Sequence, residues 1–449
     1  MTTKIQHFID GKRSDLDSTR TADVLNPSTG EVQAQVLLAS KPDVDTAVAS
    51  AVTAQQEWAA WNPQRRARVM MKFVSLVNDN VDELAELLSI EHGKTVPDAK
   101  GDIQRGVEVI EFAIGIPHLL KGEFTEGAGG GIDVYSIRQP LGVVAGITPF
   151  NFPAMIPLWK AGPALACGNA FILKPSERDP SVPVRLAELF IEAGLPAGVF
   201  QVVHGDKEAV DALIGAGYGS AGERCMAISV AVPVGEETAN RLRNRLVERV
   251  NQLRVGHSLD PKADYGPLVT GAALERVRDY IGQGVEAGAE LVVDGRERAT
   301  DELSFDGQDL SKGFFIGPTL FDHVTTDMSI YTDEIFGPVL CIVRAANYEE
   351  AVALPSEHDY GNGVAIFTRD GDAARDFVSR VQVGMVGVNV PIPVPVAYHT
   401  FGGWKRSGFG DLNQHGPASI QFYTKVKTVT ERWPSGIKDG AEFSIPTMQ

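Results

Sequence analysis

The stretch GSAGERCMAI, Gly219 to Ile228, holds the residue types best suited to covalent chemistry in this chain. A single cysteine, Cys225, follows Glu223 and Arg224 in a run of small residues. A thiol attacks only as thiolate, and a free cysteine with a pKa near about 8.5 is mostly protonated at neutral pH. Arg224 is a local cation that would lower that value. Gly219, Ser220, Ala221 and Gly222 leave room for a substrate to approach. The same residues also fit a small buried cysteine next to a surface ion pair. The local sequence leaves both readings open.

The rest of the chain must position that thiol. Its 449 residues exceed one core and predict two or three domains. Composition is ordinary for a globular protein, with 43% apolar and 22% charged residues. The net charge of -17 argues against nucleic acid and against an anionic membrane surface. Cys167, Cys225 and Cys341 are too widely spaced for a metal cluster or a disulfide framework, and so low a count suits a reducing compartment. The opening MTTKIQHFIDG has no apolar signal core, and no apolar run reaches the ~18 residues of a membrane span. The expectation is a cytoplasmic protein.

Residues 40–118 carry apolar residues at three- and four-residue steps, which predicts helices over Val44 to Trp61 and Arg65 to His92. A glycine-rich break follows, and Ile132 to Arg138 alternates like a strand. From Leu141 the pattern becomes strand, helix, strand: a buried strand over 141–148, a helix over Ala154 to Ala166, a strand over 169–175, a helix over Val182 to Ala193 and a strand over 198–205. That order predicts an α/β fold with a parallel sheet. Lys207 to Ile214 starts another helix, and a second α/β stretch follows Cys225. The segment 295–315 reads in part as a surface loop insertion. The alternating run 421–433 is predicted to pair with Ile132 to Arg138 as a projecting arm.

The phrases TPFNFPAMIPLWKAGPALACGN, FILKPSE, GERCM, EIFGPVL and FGGWKRSGFGD occur in that order. Over nearly its whole length the chain resembles the aldehyde dehydrogenase superfamily. FILKPSERDPS, VVHGDKEAVDA and PIPVPVAYHTFGGWKRS resemble its CoA-acylating methylmalonate-semialdehyde branch. The resemblance implies a Rossmann-type NAD domain over 1–122 and 139–214, a catalytic domain over 215–410, and an oligomerisation arm over 123–138 and 411–435. It implies NAD as cofactor, coenzyme A as acyl acceptor, a small-molecule substrate and a homo-oligomer, a tetramer built from dimers.

Within that resemblance Cys225 attacks the aldehyde. Asn151 donates its amide to the developing oxyanion, as uncharged donors fixed beforehand do; a turn asparagine before Pro153 is the plainer alternative. Lys174 and Glu177 follow a strand end, where open α/β sheets bind ligands, and suit the hydroxyls of an adenosine ribose. They equally suit a solvated helix start. Arg178 would reach adenine or phosphate, Thr148 and Phe150 would wall the nicotinamide, and Glu334 would hold its ribose beside Phe336. Arginine forks bind carboxylates, so Arg105 and Arg224 are expected to clamp the substrate carboxylate; a helix-surface ion pair is the alternative for Arg105.

One departure stands out. Lys174 and Cys225 are only 51 positions apart, and relatives carry more between the equivalents. A strand–helix–strand unit takes ~30 or more residues. The expectation is therefore an incomplete nucleotide domain, lacking the helix whose N-terminus would face the pyrophosphate. It leaves three readings: a CoA-acylating dehydrogenase, a hydrolytic one on the same scaffold, and a non-catalytic scaffold.

Overall fold

The computed structural model describes residues 3–129, 132–206, 229–297, 304–390, 393, 395–410 and 412–432. Cys225 and Arg224 lie outside the described residues, as does the helix expected at Lys207 to Ile214.

Apolar periodicity produces four long helices near the N-terminus, Lys41–Ala60, Pro63–Asp79, Val81–His92 and Val96–Ile114. Their ends follow from side-chain chemistry. Asp43 accepts from the Ser40 N–H and hydroxyl, each at 2.8 Å, closing a capping box at the first helix. The Asn62 side chain accepts from Arg65 N–H at 2.9 Å and caps the second. The run expected as one helix from Arg65 to His92 is broken at Asn80, whose side chain turns back to the Leu76 carbonyl. Helices Met155–Ala166 and Ser181–Ala193 pack on this bundle around Trp58, Phe73, Leu88, Ile110 and Phe190. Gly106 and Gly162 let Val96–Ile114 and Met155–Ala166 approach closely. A Cβ at Gly106 would stand 2.8 Å from Leu158 Cδ1, and one at Gly162 2.6 Å from Ile110 Cδ1.

These helices pack on a five-stranded sheet, in order Lys12–Ser14, His7–Ile9, Phe200–Val202, Ala170–Lys174 and Val143–Ile147. The last three strands are parallel, and the two N-terminal ones join antiparallel. Among the described residues the parallel part of this sheet is three strands wide. The strand expected as buried over 141–148 is half-exposed and, among the described residues, is an edge bonded to Ala170–Lys174. Nothing among the described residues covers its other side. A second sheet orders Val230–Ala231, Val339–Ile342, Thr319–Asp322 and Glu290–Val293, with its own apolar core around Phe321, Ile281 and Cys341.

Strand Thr424–Arg432 pairs antiparallel with Ile132–Pro140 over nine residues, Thr424 opposite Pro140 and Arg432 opposite Ile132. The arm pairing is as expected, except that Gln421 and Phe422 belong to the preceding helix Gly416–Phe422. The segment read as a surface loop inserts Leu310 and Phe315 into a small core with Val255. No described helix is long and apolar enough to cross a membrane.

Candidate active site

Strand Val143–Ile147 ends at Thr148, whose N–H donates to the Lys174 carbonyl at 3.1 Å. The chain then crosses the loop carrying Phe150, Asn151 and Phe152 into helix Met155–Ala166. Asn151 is 5% exposed, and among the described residues neither amide atom has a hydrogen-bond partner. The buried Thr148 hydroxyl is likewise unpaired there. A buried polar group without a partner costs about 1–3 kcal/mol, so one retained beside a cleft points to a ligand. Asn151 lines a cleft of about 2230 Å³ together with Val143–Ile147, Ser229–Val234, Glu334 and Phe336.

The residues expected to hold a dinucleotide lie around this loop. Lys174, the last residue of its strand, is buried and forms an ion pair with Glu177 at 3.0 Å. The Arg178 guanidinium stacks over the Phe150 ring at 4.8 Å. Glu334 is exposed and lines the same cleft. Phe336 beside it has φ of 61°, a conformation that bulky side chains rarely adopt. Such strain persists where the surroundings fix the backbone, commonly at binding sites.

Arg105 donates to Glu108 at 2.5 Å and to the Pro395 carbonyl at 2.7 Å. The helix-surface ion pair is therefore present, and the guanidinium also reaches across to the loop after Pro393. Beside it, His415 is 1% exposed and edge-on to both Trp159 at 4.5 Å and Phe401 at 5.5 Å. Burial, helped by the Arg105 cation, pulls His415 down to about 4 and keeps it neutral. The Trp159 indole N–H donates to the Arg105 carbonyl at 3.0 Å. The other two cysteines are poor nucleophiles. Cys167 and Cys341 are buried, and burial pushes each thiol up to about 12.

The model of the aldehyde dehydrogenase family matches residues 15–216 and 206–429. The chain belongs to the aldehyde dehydrogenase family. Membership makes it an oxidoreductase with that family's α/β fold. Its relatives include a malonate-semialdehyde dehydrogenase of Pseudomonas aeruginosa, 47% identical over 502 aligned positions covering 99% of each chain. Another, from Geobacillus thermodenitrificans, is 40% identical over 96% of this chain and all of its own. Among solved structures, a methylmalonate-semialdehyde dehydrogenase of Oceanimonas doudoroffii is 46% identical with a TM-score of 0.91, covering 97% of this chain and 99% of its own. A Sinorhizobium meliloti protein, proposed to be a methylmalonate-semialdehyde dehydrogenase and solved with NAD, is 61% identical with a TM-score of 0.92, covering 98% and 100%. The 502 aligned positions exceed the 449 residues of this chain, and the two family segments meet at 206–216.

The family fold brings Thr148, Phe150, Asn151, Lys174, Glu177 and Arg178 to one end of the parallel strands. Sequence reasoning missed two buried charges behind the loop, Lys94 and Asp102, and the neutral His415. The signal for Lys94 was a glycine–lysine pair directly after an amphipathic helix, where a solvated lysine is the ordinary expectation.

Proposed function

We propose that this enzyme carries out NAD-dependent, CoA-acylating oxidation of malonate semialdehyde or methylmalonate semialdehyde. The observation that carries the reading is the buried Asn151 amide, without a partner among the described residues, at the strand ends of a chain whose relatives are named malonate- and methylmalonate-semialdehyde dehydrogenases. NAD fits the donor set on one side. Lys174 and Glu177 would hold the adenosine ribose, Glu334 the nicotinamide ribose, and the unpaired Thr148 hydroxyl with the Phe150 ring would face the nicotinamide. When bound, NAD supplies the hydride acceptor.

The protein residues do the rest. The Cys225 thiolate bonds to the aldehyde carbon, and the carbonyl electrons move to oxygen. Asn151 donates its amide N–H to that oxyanion; such a donor is worth ~10²–10³ in rate. Loss of hydride from the same carbon leaves an acyl thioester on Cys225. Arg105 and Arg224 hold the substrate carboxylate through charge-assisted hydrogen bonds. That carboxylate lies β to the thioester carbonyl. Its carbon–carbon bond breaks, CO2 leaves, and the electron pair forms a thioester enolate that takes a proton. The thiol of coenzyme A then displaces Cys225, giving acetyl-CoA or propionyl-CoA and restoring the thiolate. The exposed Phe124 and Val426 of the arm support a homo-oligomer built through that sheet.

Product analysis with and without coenzyme A tests the scheme. CoA-dependent formation of acetyl-CoA or propionyl-CoA is expected, and free acid as the sole product would replace it with hydrolytic chemistry. One observation favours a non-catalytic scaffold: no described strand pairs with the outer edge of Val143–Ile147, beside the residues proposed to hold the nucleotide. Titration of NAD against tryptophan fluorescence decides between them, since saturable binding removes the scaffold reading.

A further inference from the structure

Helix Val81–His92 ends at Gly93, with φ of 94°. A Cβ there would sit 2.9 Å from the Pro267 carbonyl oxygen, so the position requires glycine. The sharp turn sends the next side chain inward. The Lys94 side chain is only 6% exposed, and its ammonium donates to Asp102 Oδ2 at 3.0 Å and to the main-chain carbonyl of Asn151 at 2.7 Å. It also lies over the Phe152 ring at 4.3 Å.

Asp102 sits on the following helix with its side chain fully buried. Its Oδ1 accepts from the Met155 N–H at 2.7 Å. That donor belongs to the first turn of helix Met155–Ala166, where no carbonyl within the helix can satisfy it. The two charged side chains therefore grip the Asn151–Met155 segment at both ends. Between those grips the Asn151 side-chain amide has no described partner of its own.

A buried ion pair is a poor stabiliser compared with apolar residues of the same volume, because both charges are stripped of water. Geometric specificity is the use that fits this one. Building on the reading of Asn151 as oxyanion donor, we infer that Lys94 and Asp102 are positioning residues that set the direction of its amide. The role assigned to them needs no contact with substrate. They act by fixing the peptide on which the donor is carried, and a donor displaced by about 1 Å can lose ~10²-fold in rate.

The pair K94M/D102N removes both charges together, so no lone charge is left buried, and the amide oxygen introduced by D102N still accepts from the Met155 N–H. Circular dichroism melting checks that it folds. In the full chain, semialdehyde oxidation by K94M/D102N should show kcat lowered about 10- to 100-fold with the KM for NAD little changed. In an N151A background the same pair should cost nothing further, because the donor it aims is gone. D102N keeps the Lys94 bond to the Asn151 carbonyl and lacks the charge at position 102, so it should lose less kcat than K94M/D102N; an equal loss would overturn the Lys94 grip. Full multiplication of the N151A and K94M/D102N losses would overturn the clamp and leave Asn151 its role. An N151A variant as fast as the parent would overturn the oxyanion reading, and the clamp with it.

Discussion

Glu91 links pH to the stability of the segment that follows strand Ala170–Lys174. It is the penultimate residue of helix Val81–His92 and is 4% exposed. Its carboxyl accepts from the Ser181 N–H at 3.0 Å and the Ser181 hydroxyl at 2.5 Å, tying that helix to the segment that follows Lys174 and Glu177. Burial dominates those hydrogen bonds and pushes the carboxyl from 4.5 up to about 7. The folded protein therefore binds a proton more tightly than the unfolded chain. Stability from this group is complete below pH ~4.5 and is lost as pH rises toward about 7. At about 1.4 kcal/mol per pKa unit, the loss is about 3 kcal/mol. Glu91→Gln cannot ionise and keeps one acceptor oxygen for Ser181. Urea unfolding of both proteins from pH 4.5 to 8 measures the difference. Near pH 4.5 the variant should match or slightly trail the parent, and above pH 7 it should be the more stable by up to about 3 kcal/mol. Asp179, 1% exposed, is driven well above the usual carboxylate range by burial and by the neighbouring Glu91 charge. Removing that charge can only enlarge the gain. A stability difference that stays constant across this pH range would refute the reasoning.

Two further outcomes test the site. Iodoacetamide near neutral pH should label one cysteine per folded chain, at Cys225, because Cys167 and Cys341 are buried with thiols held near 12; peptide mass spectrometry reads the site, and equal labelling of all three would remove the case for a selective nucleophile. Arg105→Ala should raise the KM for both semialdehydes about 10- to 100-fold, the range of a charge-assisted hydrogen bond of ~1.5–3 kcal/mol, and an unchanged KM in steady-state assays would end the carboxylate clamp.

Much of the fold was legible because its signals are local. Helix Met155–Ala166 and strand Ala170–Lys174 have periodicities that survive in any context, and both stand within a residue or two of expectation. The arm was legible because Thr424–Arg432 alternates, and alternation fixes which face meets a partner strand. The N-terminal strands were not, since Thr3–Ile5 and His7–Ile9 are too short to show a period and form through distant partners, Glu31–Leu38 and Phe200–Val202. The site divided the same way. Asn151, Lys174 and Glu177 sit in recognisable phrases. Lys94 and Asp102 gain their roles from contacts 57 and 53 residues away, which no window along the sequence contains.

The strand VVAGI, Val143–Ile147, brings the two levels into conflict. A strand that is apolar throughout belongs in the middle of a parallel sheet, where helices or strands cover it on every side. Here it forms the edge, with Ala145 exposed and Val143, Val144 and Ile147 half-exposed along the cleft. Composition and position disagree near the point where the family match divides, its second segment starting at 206, just after strand Phe200–Val202. An apolar edge that no described residue covers is a site for pairing with another strand. The residues proposed to hold the nicotinamide, Thr148 and Phe150, follow directly from that edge. Whatever covers Val143–Ile147 therefore also sets the wall against which the cofactor ring would rest, so the support of this one strand and the competence of the site are a single physical question.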